Sequence, residues 1–262
     1  MAIEACLAWR CKVMADSAQS HTDLWQRHMA KDPERLVPNV YRIDGFAVSQ
    51  MLNILAIAGE DGWTIVDTGI SASPRRIQAG LAALAIRPDA LARIYLTHHH
   101  PDHVGGLPGM RAWAPNAEIV APEYEAEIIA GKRPMDPSSG SVNRAMQRFN
   151  KLPAVPVDRT VREGDTVAGF RVIATPGHTL GHTSLLFESQ GLLLTADAFG
   201  ALPRKVRVGV RQAFCTDPPL AKRSAEKLLA ENYATVVFSH GPVLRENPKD
   251  RLREIVANCN YA

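Results

Sequence analysis

Cysteine is scarce in this chain of 262 residues: four occur, at Cys6, Cys11, Cys215 and Cys259, none in a C-x-x-C pair. That spacing reads as free thiols in a reducing cytoplasm, with a Cys6–Cys11 disulfide as the alternative. Also lacking is any apolar run of the length a membrane span needs. The amino-terminus makes a poor secretory leader, because Glu4 stands where a basic segment belongs and Arg10 and Lys12 interrupt the apolar stretch. A cytoplasmic location is the expectation. Charge of one sign is lacking too: the net charge is +3, too mild to argue for nucleic acid or an anionic membrane as partner. What is present is a 46% hydrophobic composition, enough to bury the core of one large domain.

Residues 1–36 read as an extension ahead of a domain spanning 37–262. Ser20 or Thr22 would cap a short helix through Leu24, Trp25, His28 and Met29, ended at Asp32-Pro33. Such a helix would pack on the core or on a second copy, which leaves a homodimer open. Beyond it, strand and helix signals alternate. Strands are expected near 40–43, 50–58, 63–67, 92–97 and 117–121. A helix opened by Pro74 carries Ile77, Leu81, Leu84 and Ala85 at helical spacing. Residues 122–155, with Pro134, Pro137, Pro153 and the tract Ser138-Ser139-Gly140-Ser141, read as an insertion over the site, with helices on either side of the tract. The second half repeats the strand-rich pattern near 156–161, 169–175, 183–188, 191–196 and 234–239, with helices over 218–231 and 247–257. A two-sheet core covered by helices fits this order.

The densest chemistry lies at Thr97-His98-His99-His100-Pro101-Asp102-His103-Val104-Gly105-Gly106. The pattern H-x-H-x-D-H places His98, His100, Asp102 and His103 within six residues. Imidazole and carboxylate suit zinc and neighbouring divalent ions. Burying four such groups together is costly unless a cation ties them up. Three further groups follow apolar runs in the second half: His178 after Phe170–Ala174, Asp197 after Leu192–Leu194, and His240 after Val236–Phe238. Loops leaving strand ends are where function is usually mounted.

These motifs, with Val66-Asp67-Thr68-Gly69, resemble the metallo-β-lactamase superfamily over most of the core, from about Val40 to His240. The resemblance implies an α/β fold, a four-layer αβ/βα sandwich with the site at one edge of the paired sheets. It implies that His98, His100 and His178 bind one metal, that Asp102, His103 and His240 bind a second, and that Asp197 bridges them together with a hydroxide. Asp67 would hold a ligand imidazole in place. Two divalent ions would serve, zinc foremost, with manganese and iron open. Asp102 or Asp197 would pass a proton to the leaving group. His99 falls outside the pattern and is expected to be exposed or to support a ligand, and His182 is expected to hydrogen-bond locally.

The run Thr-His-His-His-x-Asp-His is similar to glyoxalase II, a thioesterase, although that enzyme has a further helical domain and this chain runs only to Ala262 after His240. Acyl-homoserine lactone hydrolases have the same seven ligands but typically a Tyr soon after the bridging Asp, where this chain has Ala198-Phe199. Asp197 argues against a dedicated β-lactamase, though not against weak β-lactam cleavage, and His100 argues for hydrolysis over oxygen reduction. The expected activity is therefore cleavage of a carboxylic ester, thioester or lactone in a small-molecule substrate. A phosphodiesterase or nuclease is the alternative. For that class the basic track would be Lys205, Arg207 and Arg211, alternating with valines on one strand. A half-buried edge strand with a solvated basic face is the plainer reading.

Overall fold

The computed structural model describes residues 32–147, 152, 154–201 and 205–261. Its first sheet starts as an antiparallel meander of β1 (Glu34–Val37), β2 (Val40–Asp44), β3 (Asn53–Gly59) and β4 (Gly62–Val66). It continues in parallel with β5 (Leu91–Tyr95), β6 (Glu118–Pro122) and β7 (Arg159–Val161). The second sheet has β8 (Thr166–Val167), β9 (Phe170–Ala174), β10 (Thr183–Phe187) and β11 (Leu192–Ala196), with β14 (Thr235–Phe238) parallel to β11. A hairpin of β12 (Phe199–Ala201) and β13 (Val206–Val208) stands apart.

Successive side chains of a strand point to opposite faces, and here both faces are buried. In β3, Ile54 and Ala56 pack towards helices while Leu55 and Ile57 face the other sheet. Ile65 and Val66, Ile94 and Tyr95, and Ile119 and Val120 divide the same way. In the second sheet Val172, Leu185, Leu194 and Val237 meet the first sheet, while Ile173, Leu186, Leu193 and Val236 meet helices. This is why the strands read as continuous apolar runs rather than alternating ones. The outer layers are α1 (Pro74–Ala83) with short helices α2 (Pro101–Val104), α3 (Leu107–Trp113) and α4 (Glu123–Ile129) on one side. On the other lie α6 (Pro218–Leu228) and α7 (Pro248–Ala257), and α5 (Ser141–Gln147) lies near the site. Four layers result, as expected.

Several local expectations are corrected. Residues 45–52 form turns rather than the start of β3. The first helix stops before Ala85, which turns left-handed at φ 57°. β7 joins the first sheet beside β6, so the two halves interleave. Helix α4 is not part of a covering insertion: Ala126 and Ile129 are core residues. The basic strand is cut to Val206–Val208, because Gly209 and Val210 both take positive φ, near 60° and 64°. Arg211 therefore leaves the alternation. The helix expected near Leu24–Met29, with Cys6 and Cys11, lies outside the described residues, while Cys215 and Cys259 are buried free thiols. No helix among the described residues is long and apolar enough to cross a membrane.

The sheets are pinned together near the site. Tyr95 Oη, fully buried, pairs with Thr183 Oγ1 at 2.8 Å, and Asn53 Nδ2 donates to Phe238 O and Gly241 O, both at 2.8 Å. Phe170 fills the space between the sheets and stacks on Phe187 at 4.8 Å between ring centroids. Phe170→Ala is expected to destabilise the fold by about 3–5 kcal/mol in urea unfolding, through the cavity it leaves.

Candidate metal centre

The first half of the site is built around one carboxylate. β4 ends at Val66, and Asp67 turns the chain at φ 65°, a conformation uncommon outside glycine. Asp67 Oδ1 accepts from Thr97 N at 2.8 Å, and Oδ2 accepts from Thr97 Oγ1 at 2.9 Å and from His103 Nδ1 at 2.8 Å. With its proton given to Asp67, Thr97 Oγ1 accepts from His98 Nδ1 at 3.0 Å. Both imidazoles are thereby held with Nδ1 protonated and Nε2 free. Pro101 opens α2 at its first position, with Asp102 and His103 following in that turn. The glycine pair after it is a steric need: a Cβ at Gly105 would sit 2.3 Å from Pro101 O, and one at Gly106 would sit 2.1 Å from Thr68 O.

The second half arrives from three strand ends. His178 follows Gly177, whose φ is 125° and whose Cβ would lie 2.1 Å from the backbone N of Ala221 on α6. Asp197 follows Ala196, itself at φ 45°, and its backbone N donates to His182 Nε2 at 3.0 Å. Nδ1 of His182 pairs with Thr175 Oγ1 at 2.8 Å. Burial, with His178 beside it, pushes the His182 pKa down to about 3 and keeps the ring neutral. The expected local hydrogen-bonding role of His182 is thus specific: it anchors Asp197. His240 follows β14 and donates from Nδ1 to Met51 O at 2.7 Å, leaving Nε2 to face inward.

All seven predicted residues converge. Donor atoms of His98, His100 and His178 lie within 4.8 Å of one another, as do those of Asp102, His103 and His240, and those of His98, His103 and Asp197. Asp197 Oδ2 stands between the two sets, 3.2 Å from His178 Nε2 and 3.5 Å from both His103 Nε2 and His240 Nε2. Only Asp102 is part-exposed; the other six are buried. His98 Nε2, His103 Nε2, His178 Nδ1 and Asp197 Oδ1 are buried without a hydrogen-bond partner. Buried polar atoms are normally paired. His178 Nε2, the nitrogen near Asp197, pairs with His100 Nδ1 at 2.9 Å. Orphaned His98 Nε2 and His103 Nε2 in one cluster with Asp197 are what a divalent cation would satisfy, so this donor set fits one.

The electrostatics agree. Burial, then the neighbouring rings, hold His98 and His100 well below the ordinary histidine pKa. Burial opposes charge on His103 as well, but Asp67, Asp197 and Asp102 outweigh it and raise its pKa to about 10. Asp197 and Asp102 likewise raise His240 well above its ordinary value against the cost of burial. The carboxylates Asp197 and Asp102 are held low by these histidines in spite of burial.

The metallo-beta-lactamase superfamily model matches residues 51–240, well over half of the chain. The chain belongs to that superfamily. An uncharacterised protein of Bacillus subtilis, YobT, is 26% identical over 83% of this chain and 94% of its own length. The hydroxyacylglutathione hydrolase of Chelativorans sp. is 31% identical over 66% of this chain, and that of Rhodopseudomonas palustris 36% over 50%. The match spans only 57% and 44% of those two hydrolases. Among solved structures, a HARLDQ-motif mutant of a Cronobacter sakazakii metallo-beta-lactamase aligns with TM-score 0.62 at 25% identity, covering 80% of each chain. A subclass B3 metallo-beta-lactamase of Bradyrhizobium japonicum aligns with TM-score 0.63 at 22% identity, over 87% of this chain and 90% of its own, a likeness of fold. The protein is thus a superfamily hydrolase of the metal-dependent type, with glyoxalase II-like relatives and a histidine–aspartate cluster.

Sequence reasoning missed the groups that brace this superfamily site. Of the two positions expected for His99, the exposed one is corrected: it is fully buried, and its Nδ1 and backbone N meet the buried Glu125 carboxylate. Thr97, Glu125, Asp136 and Asn53 carried no local signal, since their partners are distant in sequence. Lys205 and Arg207 line a separate cavity with Arg251 and Tyr261, away from the cluster.

The raised histidines set a sign for metal-free stability. A group whose folded pKa exceeds its unfolded value stabilises fully below the unfolded value and loses that contribution as pH rises through the folded one. Chelator-treated protein is therefore expected to melt progressively lower from pH 6.5 towards 10, the interval between the ordinary and folded values of His103. Metal affinity should rise over the same interval, as protons cease to compete. A metal-free melting temperature that climbs with pH would contradict the assignment.

Proposed function

We propose that this chain is a two-metal hydrolase of carboxylic ester, thioester or lactone bonds in a small-molecule substrate. The observation that carries the proposal is the convergence of seven donors in two sets, with Asp197 between them and His98 Nε2, His103 Nε2 and Asp197 Oδ1 orphaned. His98, His100 and His178 would hold one ion, Asp102, His103 and His240 the other, and Asp197 would touch both. Zinc suits the donors, and manganese or iron are accepted by the same set. Divalent ions there supply Lewis acidity, lowering the pKa of water towards about 7 and polarising a carbonyl oxygen.

The chain's own groups do the rest. A cavity of about 200 Å³ opens on the cluster, walled by Met135, Val210 and Phe214 and edged by Ser138, Asn143 and Gln147. Its roof is two segments stitched together: Ser139 N donates to Cys215 O at 2.7 Å, Ser139 Oγ to Gln212 O at 2.8 Å, and Asn143 Nδ2 to Ala213 O at 3.0 Å. Residues 135–147, the part of the expected insertion that lies over the site, would seat the acyl group on an apolar wall and keep bulk water off it. Asp102 also lines the cavity and is part-exposed, so its carboxylate is placed to carry a proton to the leaving group; Asp197 lies deeper. Among the described residues lining this cavity the charged and polar groups are the cluster's own donors with Ser138, Asn143 and Gln147, and none is a lysine or arginine.

Metal analysis of protein purified without added metal, followed by assays on a lactone, a glutathione thioester, a CoA thioester, a cephalosporin and a bis-aryl phosphodiester, tests this reading. About two equivalents of divalent ion and turnover of a carboxylic substrate are expected. Turnover of the phosphodiester alone would promote the nuclease alternative. His178→Ala should lose metal and activity together. Asp102→Asn retaining full turnover with normal metal content would remove Asp102 from the proton-transfer role.

A further inference from the structure

Glu125 is fully buried on α4 beside Ala126, Ile128 and Ile129, and its hydrogen bonds among the described residues run to His99, Thr179 and Gly181 rather than to a lysine or arginine. Burying a carboxylate this way is costly unless hydrogen bonds satisfy it. Four do, in two pairs. Oε2 accepts from His99 N at 2.9 Å and from His99 Nδ1. Oε1 accepts from Thr179 Oγ1 at 2.6 Å and from Gly181 N at 3.0 Å. The first pair comes from the residue between His98 and His100. The second comes from the turn that begins immediately after His178. One side chain therefore grips both chain segments that supply the His98, His100 and His178 donor set, and it does so across 56 residues of sequence. None of the four bonds reaches Asp102, His103 or His240.

The fit is close. A Cβ on Gly181 would lie 2.7 Å from Glu125 Oε1 and 2.9 Å from Glu125 Cγ, so the turn is shaped to the carboxylate. Asp136 completes the cradle: it accepts from Leu180 N at 2.9 Å and from Tyr124 Oη at 2.8 Å. Three consecutive residues, 179–181, thus each give a donor to a buried carboxylate. Donor atoms of His99, Glu125 and Asp136 also lie within 4.8 Å of one another, the spacing of a cation site. Yet both oxygens of each carboxylate already accept N–H or O–H hydrogens. Replacing buried ionic groups by apolar ones is often neutral or stabilising, so stability alone gives little reason for a carboxylate here.

We propose that Glu125 is a positioning residue for one half of the metal centre, clamping the His98–His100 segment to the His178 turn so that these three imidazoles are preorganised for one ion. The inference rests on the two-metal reading given above. It predicts a selective effect: Glu125→Gln, which keeps the shape but turns one acceptor into a donor facing His99 N–H, weakens one of the two metal sites and spares the other.

Zinc titration of the full-length protein against a chromophoric chelator reads the two affinities separately, and cobalt(II) substitution reads the ligand field of each ion. In Glu125→Gln one affinity should fall about 10–100-fold, with its cobalt bands shifted, while the other stays within about 2-fold. Thr179→Val removes one of the four bonds and keeps the volume, so it serves where the glutamine variant does not fold. It should weaken the same site by about 2- to 10-fold. Unchanged affinities and cobalt bands in a folded variant, with only a lower melting temperature, would make Glu125 a packing residue and overturn the proposal. So would equal losses at both sites, or a third ion in the wild type that disappears in Glu125→Gln. Wild-type protein that binds no ion at all would instead overturn the two-metal reading itself.

Discussion

Seven nitrogen and oxygen donors meet in a space that excludes most water, and the rest of the structure depends on meeting that cost. Groups of this kind are stable inside a protein only when paired with each other, with a hydrogen-bonding partner or with a cation. Here each imidazole whose outer nitrogen is tied has a specific acceptor: Asp67 for His103, Thr97 for His98, Met51 O for His240. The inner atoms are left for the centre. This division sets tautomer and ring orientation before any ion arrives, which is the work of the groups surrounding a metal site. It also explains the opposed shifts of the histidines. Burial and neighbouring rings push His98 and His100 down, while Asp102 and Asp197 help to push His103 and His240 up.

The sandwich makes such a cluster affordable because its two sheets hold rigid strand ends side by side. Asp67, His98, His178, Asp197 and His240 each follow a strand, and the strands on either side of the sandwich share one apolar seam. Two strained positions lie at the same edge. Asp67 and Ala196 both carry positive φ although neither is glycine, a feature that persists only where surrounding structure over-determines it. The seam through Tyr95, Phe170 and Leu194 supplies that surrounding structure. Segments 135–147 and 210–215 line the cavity beside the cluster and are stitched by Ser139 N, Ser139 Oγ and Asn143 Nδ2, each donating to a backbone carbonyl.

Much of this was legible in the residues. The buried strands could be read from apolar runs bounded by Gly and Pro, because two-faced burial leaves no polar alternation to obscure them. The H-x-H-x-D-H run was legible because its members are local, and His178, Asp197 and His240 became legible as a set through their common place after apolar strands. Other features were not. Alternating valines and cations over 205–211 resemble a long strand, yet Gly209 and Val210 break it after three residues. His99 looks dispensable inside its motif, because the carboxylate that gives it a role lies on a separate helix. Helix α4 looked like part of an insertion, since nothing local in Glu123–Ile129 shows that Ala126 and Ile129 enter the core.

The amino-acid sequence by itself determined the donor types, their order and the apolar runs that carry them, because ligand chemistry and strand burial are properties of single residues and their near neighbours. Only the tertiary structure decided which donors share a centre, which nitrogen of each ring faces it, and that Glu125 and Asp136 grip the His178 turn. Those outcomes depend on contacts between segments tens of residues apart. Their geometry is set by how two sheets pack, and no local pattern encodes it.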